Sequence, residues 1–374
     1  MCPVADWPLN IVVLGIRGIP AHYGGFETCV DHTARLLAAA GQSVTVYGRS
    51  QHFEQHPDRY EGVRLRFVPR PGPPALHTIG HTIRCARHMG AEPFDIVHLY
   101  GVGNAFAIPL LRRQGRKVVI SVDAQDWARD KWGVVGRNYL LLAARFAVRT
   151  ADRIIVDSRA IGDYYRARFG AESSYVAYGA DTTPAGGREW LAKFQLTSGQ
   201  YHLFVGRLTP EKRPHHLIQA FRQVQSAYPL VIVGDDPYNQ GYVAQLKQMA
   251  DERVRFVGTV YDSGFHQLCH HAYLYLTASA IEGTSPALLQ AMGQGAAVLV
   301  NGIPANRETV GEAGFVYAEG DVADLARQWQ ALVDDPGRVA AVRPVAVARI
   351  REQYTWERIT EQLLALYRRL TGHG

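Results

Sequence analysis

IVVLGIRGIPAHYGGFETCVDHTARLLAA, residues 11–39, joins an apolar run to an amphipathic segment through a turn with four glycines and a proline. Ile11–Leu14 predicts a strand. Val30, Ala34, Leu37 and Ala38, three and four apart, predict the helix that follows. A strand leading through a glycine-rich turn into a helix is the opening unit of a doubly wound α/β sheet. Glycines let the backbone approach a ligand closely, and the amides at a helix start favour an anion. A tight connection with no ligand reads the same way. A dinucleotide-binding turn would carry GxGxxG, whereas Gly15, Gly18, Gly24 and Gly25 have other spacings. Arg49, not an acidic residue, closes the second strand, and GVGNAF (Gly101–Phe106) lacks a third glycine, so NAD is disfavoured.

The alternation continues along the chain. Further strands are expected at Val44–Tyr47, Val63–Val68, Asp95–Leu99, Lys117–Val122 and Arg153–Val156. A second series follows at His202–Val205, Leu230–Val233, Val254–Val257, Tyr273–Leu276, Ala297–Val300 and Phe315–Tyr317. Nearly continuous apolar strands separated by helical segments imply parallel sheets covered on both faces. Two series in 374 residues imply two doubly wound domains. Tyr178–Gly187, rich in Gly and Thr and without periodicity, reads as the junction. It sets the domains at residues 1–183 and 184–354. Thr355–Leu370 reads as one more helix with Trp356, Ile359, Leu363, Leu366 and Leu370 on one stripe.

Composition is that of an ordinary globular protein, 47% hydrophobic and 20% charged. Four dispersed cysteines suggest reduced thiols in the cytoplasm, with Cys29 a core residue rather than a nucleophile. MCPVADWPLN has no basic start and no apolar core, so no signal peptide is expected, and no stretch approaches the ~20 apolar residues of a membrane span. Up to residue 183 the chain carries 22 Lys/Arg against 16 Asp/Glu; the rest has 18 of each. A basic first half suits nucleic acid, a phosphorylated substrate or membrane headgroups, and also suits plain solvated helix faces. Leu76–Met89, with Leu76, Ile79, Ile83 and Met89 among His77, His81, Arg84 and Arg87, could rest on anionic headgroups or be a packed helix. The adjacent pairs His215/His216 and His270/His271 point to different helix faces and make poor metal ligands.

The second half carries more chemistry. VGRLTPEKRP places Arg207 and Lys212 across a turn just after a strand, where two cations can clamp a diphosphate. Downstream, SAIEGTSPALLQAMGQG sets Glu282, Gly283, Thr284 and Ser285 before a helix, a second anion cradle. Ser285 before Pro286 also fits an ordinary helix cap. Asp123 and Asp126 follow the strand Lys117–Val122 and could orient an acceptor hydroxyl. Alternatively they form a turn in which Asp126 pairs with Arg129. Trp127 and Trp132 could stack on a sugar or pack in the core.

In order, VGRLTPEKRP, VIVGDDPY, VRFVGTV and EGTSPALLQAMGQG resemble the donor domain of family-four retaining glycosyltransferases with the GT-B fold. GIRGIPAHYGGFET, VDAQDWARDKWG and IIVDSRAIGDYY resemble the bacterial subgroup that includes rhamnosyltransferases of surface-polysaccharide assembly. The resemblance implies two Rossmann-like domains facing across a cleft, with helix 355–371 packing back on the first. It implies donor diphosphate binding by Arg207 and Lys212, with Gly24 and Gly25 approaching from the other domain and Gly283, Thr284 and Ser285 offering amides or hydroxyls. Glu282 would meet the donor sugar, and Val260 and Tyr261 the base. The family's second glutamate, which holds the ribose, is Gln290 here, a weaker clamp and less of a loss for a dTDP-sugar. The subgroup's DGLEW is Asp123-Ala124-Gln125-Asp126-Trp127.

The implied reaction is retaining transfer, needing no metal or other cofactor, of a sugar such as rhamnose from dTDP-rhamnose. The acceptor would be a glycan or polyprenyl-diphosphate-linked sugar at the inner face of the cytoplasmic membrane, and nucleic acid is not among the implied partners. A nucleotide-sugar epimerase on the same fold and a non-catalytic sugar-nucleotide or glycan-binding module are the competing readings.

Overall fold

Short runs of Val, Ile and Leu with no polar alternation bury both of their faces, and so form the interior strands of parallel sheets. The computed structural model describes residues 7–21, 24–69, 77–129 and 132–372. It divides into two units, Met1–Ala177 with Trp356–Gly374, and Tyr178–Thr355.

The strands of unit 1 are β1 Asn10–Leu14, β2 Ser43–Arg49, β3 Arg59–Tyr60, β4 Val63–Val68, β5 Ile96–Tyr100, β6 Lys117–Val122, β7 Arg153–Val156 and β8 Ser173–Tyr175. Their order in the sheet is β3-β4-β2-β1-β5-β6-β7-β8. Every pairing is parallel except β3–β4, a hairpin closed by Glu61 and Gly62, both at positive φ. β3 and β8 were not expected from the sequence, because Arg59–Tyr60 and Ser173–Tyr175 lack an apolar run. Register is uniform through the centre, with Ile11 opposite both Val44 and Ile96.

The helix Trp356–Thr371 belongs to this unit, where Leu363, Leu366 and Tyr367 join the core of Ile11, Val13, Val46 and Ile96. Trp356 stacks on His32, centroids 4.3 Å apart. Tyr367 Oη lies 2.6 Å from His98 Nδ1, and His98 Nε2 lies 2.7 Å from Ser121 Oγ. Complete burial lowers the His98 pKa to about 3, so the ring is neutral. Cys29 is likewise buried, its thiol raised to about 12 by the same cause, which fits a core residue.

Unit 2 contains β9 His202–Val205, β10 Leu230–Val233, β11 Val254–Phe256, β12 Leu274–Thr277, β13 Val298–Asn301 and β14 Phe315–Tyr317. All are parallel, in the order β11-β10-β9-β12-β13-β14. This is a doubly wound sheet whose strand order reverses between β9 and β12. Phe204, Leu217, Phe221, Leu276 and Trp329 lie in its core.

Segment 178–187 is held by unit 2. Gln290 accepts from the Asp181 amide (3.1 Å) and donates to the Asp181 carbonyl (3.2 Å). Gln294 accepts from Ala185 and donates to Thr183 at 2.8 and 2.9 Å.

Candidate functional site

In an open α/β sheet ligands bind beyond the carboxyl ends of the strands, where the order reverses. In unit 2 the loops at that point are Gly206–Arg213 after β9 and Ala278–Ser285 after β12, the two segments singled out in the sequence. They are joined to each other. The Ala280 amide donates to the Glu211 carbonyl at 2.9 Å, and Lys212 Nζ forms an ion pair with Glu282 Oε1. The paired side chains are 18% and 13% accessible, enough to leave one edge of the pair to solvent.

Local sequence explains the turn. Pro210 starts a short 3-10 turn through Lys212, whose amide donates to the Thr209 carbonyl at 3.0 Å. Arg213 takes the left-handed conformation (φ 50°), and Pro214 opens the next helix, so the chain reverses in three residues. Arg207 is half-buried. Among the described residues its guanidinium forms no ion pair or hydrogen bond.

The floor is backbone. The Gly206 amide donates to Val233 (3.0 Å) and the Gly234 amide to Gly258 (2.8 Å), knitting the ends of β9, β10 and β11. Gly234 has φ 138°, and a Cβ there would lie 1.9 Å from the Gly206 carbonyl oxygen. Only glycine fits that approach. Gly283, Thr284 and Ser285 are buried at the start of the helix Pro286–Gly293. Ser285 holds the cap position, yet its side chain makes no capping hydrogen bond. Asn301, wholly buried, donates to the Ser279 carbonyl at 2.9 Å and accepts from Gly320, fixing the loop that carries Glu282. Sequence reading passed over Asn301 and Glu211; a polar residue ending an apolar strand was the available signal for the first.

Three placements differ from the simplest expectation. Both polar atoms of the Gln290 side chain are engaged by Asp181, so that amide is a structural tie to the preceding segment. Val260 is buried, and packs with the Trp190 ring over Gly264, where an added Cβ would meet both below 3 Å. Tyr261 is 53% exposed and presents its ring to solvent.

In unit 1, two of the four opening glycines answer to internal packing. A Cβ on Gly15 would come within 2.2 Å of the Tyr100 carbonyl, and one on Gly18 within 2.7 Å of the Phe53 ring. The turn amides of Arg17 and Ala21 donate to the Glu27 and Asp31 carboxylates at 3.0 and 2.7 Å. Gly24 and Gly25 begin the helix Gly25–Ala39, with Glu27 Oε2 2.9 Å from where a Gly24 Cβ would lie. A carboxylate therefore already stands at this helix start.

Asp123 and Asp126 follow β6 and share one cation. Arg129, nearly buried, contacts Asp123 Oδ2 at 2.5 Å and Asp126 Oδ1 at 3.0 Å. Asp123 also accepts from the Ala124 amide at 2.8 Å. Trp127 packs against Tyr164, Tyr165 and Phe169 in the core, so it is not a stacking surface. The Trp132 ring covers Gly136. Among the described residues no cluster of three His, Cys, Asp or Glu side chains could hold a metal.

The helix His77–Met89 buries Cys85, Ala86 and Met89, and Ile79 and Ile83 are partly covered. Its apolar side therefore packs inward, contrary to the headgroup reading; Leu76 lies outside the described residues. No described helix is long and apolar enough to cross a membrane.

Residues 24–179 match a glycosyl transferase 4-like domain, and residues 199–335 match the glycosyl transferases group 1 domain. The O-antigen chain mannosyltransferase B of Escherichia coli is 30% identical over 59% of this chain and 55% of its own length. The glycogen synthase of Mycobacterium tuberculosis is 25% identical over 96% of this chain and 94% of its own. The structure is similar to sucrose-phosphate synthase from Thermosynechococcus elongatus, with TM-score 0.84, 19% identity and coverage of 98% and 100%. Each is named a transferase or a synthase, and the epimerase and binding-module readings are not favoured.

Proposed function

We propose that this chain, which belongs to the group 1 glycosyltransferases, moves a sugar from a nucleoside diphosphate donor to a hydroxyl group of a glycan or lipid-linked acceptor. Arg207 carries this reading. It stands at the carboxyl end of β9, beside the strand-order reversal, half-buried and with no ion pair or hydrogen bond to its guanidinium among the described residues. A guanidinium held there is placed to take an anion bidentately.

As the bond from the anomeric carbon to the diphosphate breaks, negative charge collects on the leaving oxygen. Arg207, Lys212 and the main-chain amides near Thr284 and Ser285 would stabilise that charge in place. The acceptor oxygen bonds to the anomeric carbon on the face the diphosphate leaves, and its proton passes to a donor phosphate oxygen. Configuration is thus retained and no protein nucleophile is required. Cationic side chains replace a metal in this scheme. Glu282 aims Lys212 and can accept a hydrogen bond from the donor sugar. Asp123 and Asp126, fixed by Arg129, orient the acceptor hydroxyl.

For the donor, dTDP-rhamnose is our first choice. Support comes from the subgroup resemblance and from Gln290, which is occupied by Asp181 and offers no carboxylate to a ribose diol. Thermal-shift titration with UDP-, GDP-, ADP- and dTDP-sugars, followed by transfer assays with the tightest binder, tests the reading. Arg207→Ala is expected to lower kcat/KM at least ~100-fold, the scale for losing one preorganised donor to a developing anion. Unchanged turnover refutes the phosphate role, and a stronger shift with a ribonucleotide sugar refutes the dTDP choice.

A further inference from the structure

The helix Val134–Thr150 carries two apolar stripes. Leu140, Ala143, Ala144 and Ala147 face the core and are buried. Val135, Tyr139, Leu142 and Phe146, at i, i+4, i+7 and i+11, run along a neighbouring side. Val135 is 85% exposed and Leu142 56%, and Val134 beside them is 76% exposed. Phe106, from the segment after β5, extends the stripe, its ring 5.6 Å from Tyr139 and 5.0 Å from Phe146. Tyr139 Oη donates to the Gly103 carbonyl at 2.7 Å, which holds this aromatic ridge in place. Of the nine exposed large hydrophobic residues described, four, Phe106, Val135, Tyr139 and Leu142, lie on this face.

We propose that this face seats unit 1 on an anionic lipid bilayer, with the helix lying in the headgroup plane. Charge selects the occupant. Arg145 and Arg149 flank the stripe on a helix with no acidic residue, and Arg113 is exposed in the segment after β5; Arg112 and Lys117 there pair with Asp152, and Arg116 is buried. Arg137, Arg145 and Arg149 are exposed and form no ion pair among the described residues. Two copies packed through this face would set their arginines against each other, whereas lipid phosphates neutralise them while the apolar stripe enters the acyl boundary. At 17 residues with three arginines the helix is suited to lying on a membrane rather than spanning it. This surface lies outside the residues assigned to transfer, and its test does not depend on them.

The test is flotation of the full chain with vesicles of equal phosphatidylglycerol and phosphatidylcholine, and with phosphatidylcholine alone. The chain is expected to float with the anionic vesicles only, and less so as salt is raised. Each arginine near such a surface contributes about fivefold in partitioning, so R145Q/R149Q should lower it about 25-fold. Val135→Asp with Leu142→Asp should abolish it, while the far-UV circular dichroism and the urea midpoint stay unchanged and show that the variants are folded. Failure to float at low salt overturns the proposal, as does full binding by the folded variants. A dimer in solution that Leu142→Asp converts to monomer also overturns it, by assigning the face to self-association.

Discussion

Lys212→Met removes the cation from an ion pair of intermediate burial and leaves the Glu282 carboxylate, 13% accessible, without its partner. Stranding one member of a fully buried pair costs ~3–5 kcal/mol, and an exposed pair contributes ~0.2–1 kcal/mol. For this pair about 2 kcal/mol is expected. Glu282→Gln leaves Lys212, 18% accessible, with a flexible stem that can reach water. Its cost should be about 1 kcal/mol. The double variant strands neither charge and should also lose only about 1 kcal/mol, not the 3 kcal/mol of additive losses, a coupling of roughly 2 kcal/mol. In a unit spanning Tyr178–Thr355, that places the Lys212→Met melting temperature about 4–8 °C below the parent.

Urea and thermal unfolding of the four proteins measure the cycle. Amide exchange of peptides covering 206–213 and 278–290 locates the effect, because the Ala280–Glu211 main-chain bond joins the same two loops. Additive losses would refute the ion pair as a structural link. The functional limb is separate: Lys212→Met should also lose most of the nucleotide-sugar thermal shift, and Glu282→Gln should retain it. A full shift in Lys212→Met would remove this lysine from the diphosphate site while leaving its structural role intact.

Three other outcomes follow from particular residues. His98 and His202 are fully buried, and burial lowers each to about 3 from an ordinary 6.5. The unfolded chain therefore binds more protons below pH 6.5, so stability is whole above that value and falls as pH drops towards 3. The loss is ~1.4 kcal/mol per pH unit for each ring. Urea midpoints at pH 7.5 and 5.0 check this, and His98→Gln should flatten the pH dependence of unit 1 only. Gly234→Ala forces a Cβ into the Gly206 carbonyl at positive φ, and is expected to cost at least ~3 kcal/mol, read as insoluble protein or a collapsed melting temperature. Gln290→Glu sets a carboxylate against the Asp181 carbonyl in place of an N–H donor, and should destabilise unit 2 by ~1–3 kcal/mol, measured by urea unfolding. A stable variant with tighter donor binding would instead return this position to the ribose.

The fold was largely legible because its signal is local. A parallel strand buried on both faces must be apolar along its length, so runs such as Lys117–Val122 and Leu230–Val233 appear in the sequence at their structural bounds. β3 and β8 escaped notice because a two-residue hairpin arm and a polar edge strand bury too little to impose a pattern. Candidate site residues were visible as residue types next to strand ends, which the strand order then placed at the reversal between β9 and β12.

What side chains do there was not legible, because partnership is a long-range property. The local pattern offered the Asp126–Arg129 pair, but nothing in it says that Arg129 also takes Asp123, that Lys212 meets Glu282, or that Gln290 binds Asp181. The glycine-rich turn shows the limit well: sequence permits close approach at Gly15 and Gly18, and only packing reveals that the neighbours are the Tyr100 backbone and Phe53. The membrane reading turned on the same distinction. Helical periodicity marks an apolar stripe on His77–Met89, and burial alone decides that it faces the core; Val134–Thr150, not singled out in the sequence, is the helix that keeps an apolar face in solvent. Sequence by itself determined where strands and helices form, since hydrophobic periodicity is written residue by residue. Tertiary structure alone decided which charges are satisfied and which apolar faces are covered, since each depends on atoms supplied by distant parts of the chain.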